Sequence, residues 1–284
     1  MVLTAIDVWN AATFDDELSS LLADHAALIR NYMTADRDIF LSYDLGRGPR
    51  RPLMRPDNPH ATSFLALKET VSKEMSSRII RAWHYTRLTG SELESMRRDG
   101  IHLSTPKTLR ARLDALITSG KLDAQQADAL FKYSPFHQQL DIRANRFWMV
   151  SHPIAVDDSG VVPLMSHWGG EVASMWVDDP LLLHPLTVIG KARVLEVYAP
   201  LSFSRHSYSA AEAVIATFSR SLGCIPDNRG FDLYVTVPLP PSALIQVHSS
   251  DDGTFPVLGR GYPADYADTS ADDWRALTGT GENS

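Results

Sequence analysis

The segment Arg81–Thr105, RAWHYTRLTGSELESMRRDGIHLST, constrains the fold of this chain more than any other. Its first residues, Ala82–Thr86, include aromatic and β-branched types that favour a half-buried strand. Thr89 followed three residues later by Glu92 is typical of a capping box, so we expect a helix to begin here. Gly100 is the residue type that ends such a helix, and the alternating apolar residues after it predict another strand. The segment therefore predicts strand, helix and strand in direct succession.

His84 and Thr86 lie two residues apart on the first predicted strand. Side chains at positions i and i+2 share one face of a strand. An imidazole and a hydroxyl placed in this way can bind adjacent polar groups of one ligand. The same residues also fit a structural histidine that is hydrogen-bonded on a half-buried strand, and the spacing alone leaves both interpretations open.

Composition limits the class of protein. The chain has 284 residues, of which 44% are hydrophobic, enough to build the core of one large domain or two small ones. Its net charge of −7 argues against a general nucleic-acid binder. The single Cys224 excludes an intrachain disulfide and a cysteine-rich zinc site. We find no long apolar run and no basic-then-apolar leader, so we expect no membrane partner. We expect either a cytoplasmic protein or an effector that is delivered without a classical signal peptide.

Three regions are predicted along the chain. Residues 1–80 form an N-terminal helical extension, in which helices at Asp15–Met33 and Ala61–Ile80 flank a loop at Tyr43–His60. Residues 81–248 form the main domain, and residues 249–284 an acidic, loosely ordered tail. The proline-rich loop is either a solvated connection or a site for a phosphate or an acidic partner, because it holds a basic cluster of Arg47, Arg50, Arg51 and Arg55.

Several short strands with helices between them predict an α+β domain built on a mixed sheet. Further helices are expected at Pro106–Ser119, Ala124–Lys132 and Ser209–Ser221. Further strands are expected at Phe147–Ser151, Val161–Met165, Ala192–Ala199, Phe231–Val237 and Ala243–His248.

Three of these stretches resemble motifs of the ADP-ribosyltransferase superfamily. His84-Tyr85-Thr86 on a strand, with a capped helix and a glycine after it, resembles the opening motif of the His-x-Thr branch, which includes diphtheria-toxin-like, poly-ADP-ribose-polymerase-like and rifamycin-modifying enzymes. Phe147–Ser151 and His167–Ala173 resemble the second motif, which supplies an aromatic side chain. Gly230–Val237 resembles the third motif, which supplies an acid. The matches occur in the family's order and span Arg81–His248.

The resemblance implies both a fold and an activity. The implied fold is an ADP-ribosyltransferase-like mixed or antiparallel split β-sheet, with flanking helices and the N-terminal helical extension. The implied activity is that of a NAD-dependent ADP-ribosyltransferase or a NAD glycohydrolase, as found in toxins and effectors. NAD would be a substrate, no metal is implied, and the acceptor of ADP-ribose is unknown.

The resemblance also implies catalytic roles for Asp232 and His84. Cleavage of the nicotinamide–ribose bond passes through an oxocarbenium-like sugar, whose positive charge a carboxylate stabilises. An aromatic ring stacked on nicotinamide holds the leaving group, with Trp148 and Trp168 as alternatives. His84 and Thr86 would hold ribose hydroxyls, and the backbone of Tyr85 would bind the nicotinamide amide. The implied NAD-binding residues are therefore His84, Tyr85, Thr86, Trp148 and Trp168.

Two departures from the family pattern keep other interpretations open. Tyr85 stands where the family commonly has glycine, and Asp232 where Glu is commoner. Glu171 or Glu196 is an alternative acid. A non-catalytic binding module with a degenerate site is therefore the rival from another functional class.

Two further enzyme classes have less support in the sequence. An RNA 2′-phosphotransferase resembles the same fold and also uses NAD, but the chain is basic only in its proline-rich loop. A metal-dependent hydrolase would need His152 and His167 beside His84, and their spacing matches no standard metal motif.

Overall fold

The computed structural model describes residues 5–44, 53–226 and 230–262, and contacts divide the chain into two units. The helical unit comprises Met1–Ile80, Arg205–Phe231 and Gly261–Ser284, and the sheet unit comprises Arg81–Ser204 and Asp232–Arg260. The described helices are α1 (Asp16–Asp24), α2 (Ala26–Ile39), α3 (Ala61–Met75), α4 (Gly90–Asp99), α5 (Pro106–Thr118), α6 (Ala124–Lys132), α7 (Leu140–Arg143), α8 (Val162–Ser166), α9 (Glu171–Ser174), α10 (Pro180–Val188) and α11 (Ser207–Ser221). The described strands are β1 (Ile79–Leu88), β2 (Phe147–Val150), β3 (Lys191–Pro200), β4 (Asp232–Val235) and β5 (Leu244–Ser249).

Helix α11 belongs to the helical unit, although the sequence placed it within the main domain at 81–248. Lys68 Nζ of α3 lies 2.5 Å from Glu212 Oε1 of α11, and the hydroxyls of Ser72 and Ser207 lie 3.2 Å apart. Much of the buried face of α11 consists of alanines, which allow two helix backbones to approach closely. This helix therefore stabilises the N-terminal helices from more than a hundred positions further along the chain.

The prediction of one continuous helix at Asp15–Met33 is wrong. It is two helices, α1 and α2, which meet at His25. His25 leaves the helical conformation at φ −107° and ψ 12°, and its Nδ1 donates a hydrogen bond to the Leu21 carbonyl over 2.9 Å. The pattern of apolar residues continues through the break, so periodicity alone did not reveal it. The predicted helix at Ala61–Ile80 is also too long, because α3 ends at Met75 and β1 begins at Ile79.

The five strands form one sheet in the order β4-β2-β1-β3-β5. The pairs β1–β2, β2–β4 and β3–β5 are antiparallel. The contacts of β3 with β1 show that these two strands also run in opposite directions: Arg81 near the start of β1 contacts Glu196, and Gly190 before β3 lies against Leu88 at the end of β1. The α+β class predicted from the sequence is therefore confirmed, with an antiparallel sheet.

The connection from β1 into α4 has the predicted geometry. Thr89 Oγ1 accepts a hydrogen bond from the Glu92 amide over 3.2 Å, and Glu92 Oε2 accepts one from the Thr89 amide over 2.7 Å, which completes the capping box. Gly100 ends the helix at φ 91°, a conformation that residues with a Cβ atom rarely adopt. The strand that carries His84 is therefore tied directly to a well-defined helix start.

The Glu92 carboxylate joins three separate parts of the sheet unit. Besides capping α4, Glu92 accepts a hydrogen bond from Trp168 Nε1 over 2.9 Å and one from Arg112 Nε of α5 over 2.6 Å. The Arg112 guanidinium lies 4.6 Å from the centre of the Trp168 ring, which is completely buried. Burial alone raises the pKa of Glu92, but the charge of Arg112 and these hydrogen bonds hold it below its usual value.

The predicted strand at Val161–Met165 is wrong, because Val162–Ser166 is helical. Pro163 lies in the first turn of this helix, where its missing N–H is not needed. Val161 and Met165, four residues apart, both pack against the core around Trp83. The spacing of four indicated a helix, whereas the valines suggested a strand.

The predicted loose tail from Ser249 packs closely in its first part. Phe255 is only 9% exposed and belongs to the core cluster around Trp83. Gly259 lies so close to Ile154 that an added Cβ would fall 2.4 Å from the Ile154 carbonyl carbon. Residues 249–260 are therefore part of the sheet unit, and residues 263–284 lie outside the described ranges.

Only one arginine of the predicted basic cluster falls within the described residues. Arg55 is about half exposed, and its guanidinium lies 3.3 Å from Asp44 and 3.9 Å from Asp36. Both neighbours are acids of the same unit, so Arg55 is already partnered. The other members, Arg47, Arg50 and Arg51, lie outside the described residues.

Replacing Glu92 with glutamine tests its role in joining α4, α5 and Trp168. We expect the free energy of unfolding to fall by about 2–3 kcal/mol, because a neutral amide accepts more weakly and leaves Arg112 without its partner. Urea denaturation measures the change. Glu94→Gln is the matched control, since Glu94 forms an exposed pair with Arg97 and its loss should cost less than about 0.5 kcal/mol. Equal losses for the two variants would contradict the assignment.

Replacing Gly100 with alanine tests the end of α4. A Cβ atom there would lie 2.2 Å from the Leu239 carbonyl oxygen, and the φ of 91° is itself strained for alanine. We expect the free energy of unfolding to fall by about 2 kcal/mol or more. Gly90→Ala is the control, because no atom lies within 4 Å of its added Cβ, and it should change stability by less than about 1 kcal/mol. A Gly100→Ala protein as stable as the control would refute the conformation described for this glycine.

Candidate functional site

Strand pairing determines which side chains share a face of the sheet. Trp83 on β1 pairs with Val150 on β2, which pairs with Asp232 on β4. Residues that pair directly across antiparallel strands point to the same side, so these three define what we call the front face. His84 follows Trp83 on the same strand and therefore points to the opposite side, the back face. The sequence-predicted pair of His84 and Asp232 thus lies on two different faces.

Trp148 and Tyr234 form an aromatic platform on the front face. They pair directly between β2 and β4, and their ring centres lie 4.6 Å apart at an angle of 58°. Trp148 is 38% exposed, so part of its ring is accessible to a ligand. Asp232 lies two residues before Tyr234 on the same face, exposed, and its carboxylate has no hydrogen bond or ion pair to any described residue. The structure therefore brings together Trp148 and Asp232.

His84 braces the strand that carries Trp148. Its Nδ1 donates a hydrogen bond to the Trp148 backbone carbonyl over 2.7 Å, and its ring lies 4.4 Å from that of Phe147. Although part of the residue remains accessible, burial of the imidazole lowers its pKa from 6.5 to about 4; the charge of Arg112 also lowers it, and the hydrogen bond to Trp148 acts in the opposite direction. His84 is therefore neutral near pH 7, with Nε2 as an acceptor.

Tyr85 and Thr86 are both buried. Tyr85 lies on the front face, where its hydroxyl both donates to the Ile154 carbonyl and accepts from the Ile154 amide, each over 2.6 Å. Burial raises the pKa of this phenol. The Tyr85 ring thus points away from the side occupied by His84, because adjacent side chains of a strand lie on opposite faces. Thr86 lies on the back face and is 7% exposed, so the structure does not bring its hydroxyl to Asp232.

Trp168 lies in the core rather than at an accessible surface. Its indole donates to Glu92, and its ring packs in the cluster formed by α5, α6 and α10. A completely buried ring has no free surface for stacking on a ligand. Of the two aromatic residues that the sequence offered for nicotinamide, Trp148 is therefore the one with an accessible ring.

The two alternative acids are already paired with arginines. Glu196 is 3% exposed, contacts Arg81 at short range, and lies 3.8 Å from the ring of His248. Glu171 lies 2.6 Å from Arg143, at the start of α9. A carboxylate whose charge is balanced in this way stabilises a developing cation less than a free one does. Among these candidates, Asp232 alone has no ion pair with any residue that the structure describes.

Two residues of the front face were missed by sequence reasoning. Tyr234 follows Asp232 by two positions and Arg146 precedes Trp148 by two, so both follow from the period of 2 in a strand. The Arg146 guanidinium lies 4.5 Å from the centre of the Tyr234 ring and 5.9 Å from that of Trp148. A basic side chain therefore borders the aromatic platform.

The described ranges contain no group of three His, Cys, Asp or Glu side chains placed to hold a metal ion. His152 and His167, which a metal site would need beside His84, have pKa values lowered chiefly by burial. None of the helices in these ranges has both the length and the apolarity needed to cross a bilayer.

Comparison of the chain with protein-family models, with curated proteins and with solved structures finds no match. The candidate site therefore rests on its own geometry and on the motif resemblance of the sequence. That geometry consists of an exposed carboxylate, an accessible indole and a guanidinium on the front face of β2 and β4, braced from behind by His84.

The lowered pKa of His84 predicts acid sensitivity. The folded state holds this imidazole neutral down to about pH 4, whereas the unfolded chain takes up a proton near pH 6.5. Stability from this group is therefore complete above pH 6.5 and is lost as pH falls toward 4, by up to roughly 3 kcal/mol. Urea denaturation of the wild type and of His84→Gln across this interval isolates the effect, and the wild type should lose more stability. Parallel curves for the two proteins would rule out the neutral buried imidazole.

Proposed function

We propose that this chain binds NAD on the front face of β2 and β4 and cleaves the nicotinamide–ribose bond, as an ADP-ribosyltransferase or a NAD glycohydrolase. The observation that carries the proposal is the placement of the Asp232 carboxylate, which has no partner among the described residues, beside the accessible part of the Trp148 ring. A planar leaving group and a developing sugar cation need these two groups side by side.

Asp232 acts on the sugar. As the bond between C1′ and the nicotinamide nitrogen breaks, its electron pair leaves with nicotinamide and the ribose becomes an oxocarbenium-like cation. A carboxylate without a cationic partner stabilises this charge where it develops. The acceptor then bonds to C1′ and loses a proton; with water as acceptor the product is ADP-ribose, and with another nucleophile it is an ADP-ribosylated acceptor.

Trp148 holds the leaving group. Its exposed ring offers a surface on which nicotinamide stacks, and its partner Tyr234 limits the movement of that ring. His84 contributes from the back face as a positioning residue, because its hydrogen bond to the Trp148 carbonyl fixes the backbone that carries the indole. This role differs from the ribose contact that the family resemblance implied for His84.

The arrangement of the strands supports an ADP-ribosyltransferase-like fold for the sheet unit. The H-x-T strand, β1, is central in the sheet, the strand with the aromatic residue lies next to it, and the strand with the acid follows at the edge. The three motif-bearing strands are therefore neighbours, as a shared site requires.

The rival proposal is a non-catalytic module that binds NAD or ADP-ribose. The placement of His84 and Asp232 on opposite faces favours it, since the two residues cannot both contact one ribose from these positions. Such a module would bind the dinucleotide through Trp148 and release no nicotinamide. Turnover and binding measured together separate the two functions.

Nicotinamide release from NAD, followed by chromatography, tests the leading proposal. We expect turnover by the wild type and a loss of about 100-fold or more in Asp232→Asn, because the sugar cation loses its stabilising charge. Since Asp232 is exposed, the unfolding midpoint should not change. Asp141→Asn removes another exposed carboxylate and should retain full turnover.

Three results distinguish the candidates. Loss of turnover in Asp232→Asn with unchanged NAD affinity supports catalysis at this residue. Tight NAD binding without nicotinamide release by the wild type supports the binding module. Wild-type turnover that Asp232→Asn retains within a factor of about three would exclude Asp232 as the working acid.

A further inference from the structure

The positively charged guanidinium of Arg146 packs against the aromatic platform and not against a carboxylate of the described residues. Its guanidinium carbon lies 4.5 Å from the centre of Tyr234 and 5.9 Å from that of Trp148. One nitrogen, Nη1, donates to the Ile142 carbonyl at short range, and no carboxylate of the described residues forms an ion pair with it. A guanidinium has five donor N–H groups, so Arg146 keeps donors for a ligand.

The backbone before Arg146 fixes the place of this side chain. Asn145 has a φ of 58°, the only non-glycine residue with positive φ among those described. Its amide donates to the Ser104 carbonyl over 2.8 Å, and the Ser104 amide donates to the Arg146 carbonyl over 3.1 Å. Asparagine tolerates this conformation better than most residues, at some cost in energy. The turn into β2 is therefore held firmly, and Arg146 with it.

The front face has opposite charges at its two ends. Arg146, immediately before β2, shares its face with Trp148 and Val150 on that strand, and Asp232 pairs with Val150. Four positions along a strand span about 13 Å of backbone. The guanidinium and the carboxylate are closer than this, because the Arg146 side chain extends over the aromatic platform. A ligand that fits this face has a flat ring on the platform, a sugar within reach of Asp232 and a negative group within reach of Arg146.

We propose that Arg146 binds the phosphate next to the nicotinamide ribose, so that the site recognises a pyridine nucleotide as a zwitterion. This inference rests on the proposed function of the same face. The oxidised nicotinamide ring carries a positive charge, and a phosphate follows on the 5′ carbon of its ribose. The planar fork of arginine matches two phosphate oxygens. Recognition therefore needs both the charged ring and one phosphate, and the adenylate half is dispensable.

The test compares two ligands that differ by one phosphate, nicotinamide mononucleotide and nicotinamide riboside. Calorimetry measures their dissociation constants with the wild type, Arg146→Gln, Arg146→Lys and Arg97→Gln. We expect the wild type to bind the mononucleotide at least about tenfold more tightly, and Arg146→Gln to abolish that difference without changing the affinity for the riboside. Arg146→Lys keeps the charge but not the fork, and should lie between the two. Arg97→Gln, which removes an exposed arginine on α4, should match the wild type.

The outcomes separate this inference from the proposed function. If Arg146→Gln weakens both ligands equally, or if the wild type binds them with equal affinity, Arg146 does not read the phosphate and the inference is overturned, whatever the rate of nicotinamide release. If binding depends on the phosphate but NAD is not cleaved, the inference stands and catalysis fails. If the wild type binds neither ligand, the inference is overturned, and nicotinamide release from NAD then decides the proposed function by itself. Unfolding midpoints confirm that each variant is folded.

Discussion

The carboxylate of Glu92 is the group on which the sheet unit depends. A carboxylate that is mostly shielded from water is costly unless it is hydrogen-bonded and paired, and this one accepts from the amide and hydroxyl of Thr89, from the Trp168 indole and from Arg112. These donors belong to the end of β1, to α5 and to the segment before α9. Because β1 runs directly into the capping box, the same interaction fixes where the strand that carries His84 ends.

The second constraint is the two-sided nature of the central strand. Alternate residues of β1 face opposite directions, so Trp83 and Tyr85 build the front core while His84 supports β2 from behind. The segment at Ile154, hydrogen-bonded to the Tyr85 hydroxyl, covers the front of β1. Open surface on that face therefore begins at Trp148, which explains why the candidate site lies toward the edge strand and not at the H-x-T motif itself.

Local signals in the sequence predicted local structure well. The capping box at Thr89, the terminator Gly100 and the strands that carry Trp148 and Asp232 all depend on neighbouring residues, and all are present. The prediction of a strand at Val161–Met165 was wrong. The β-branched residues suggested a strand, whereas the spacing of four between the core residues Val161 and Met165 indicated a helix.

The relation between His84 and Asp232 could not be predicted from the sequence. It depends on the register of two strands that are nearly 150 positions apart, and a shift of one residue reverses every face. The residues Tyr234 and Arg146, in contrast, were within reach of sequence reasoning. Once Trp148 and Asp232 are placed on strands, positions two residues away share their face.

Exposure alone does not mark Asp232 as functional, since most acidic residues of a soluble protein are exposed. Its surroundings are what distinguish it. Glu196 and Glu171 lie against arginines, so their charges are largely balanced before any ligand binds. Asp232 lies instead beside an aromatic platform whose other end carries Arg146, and neither charged group neutralises the other within ion-pair distance. The opposite charges of Asp232 and Arg146, with the rings of Trp148 and Tyr234 between them, therefore determine which end of a bound ligand must be positive and which negative.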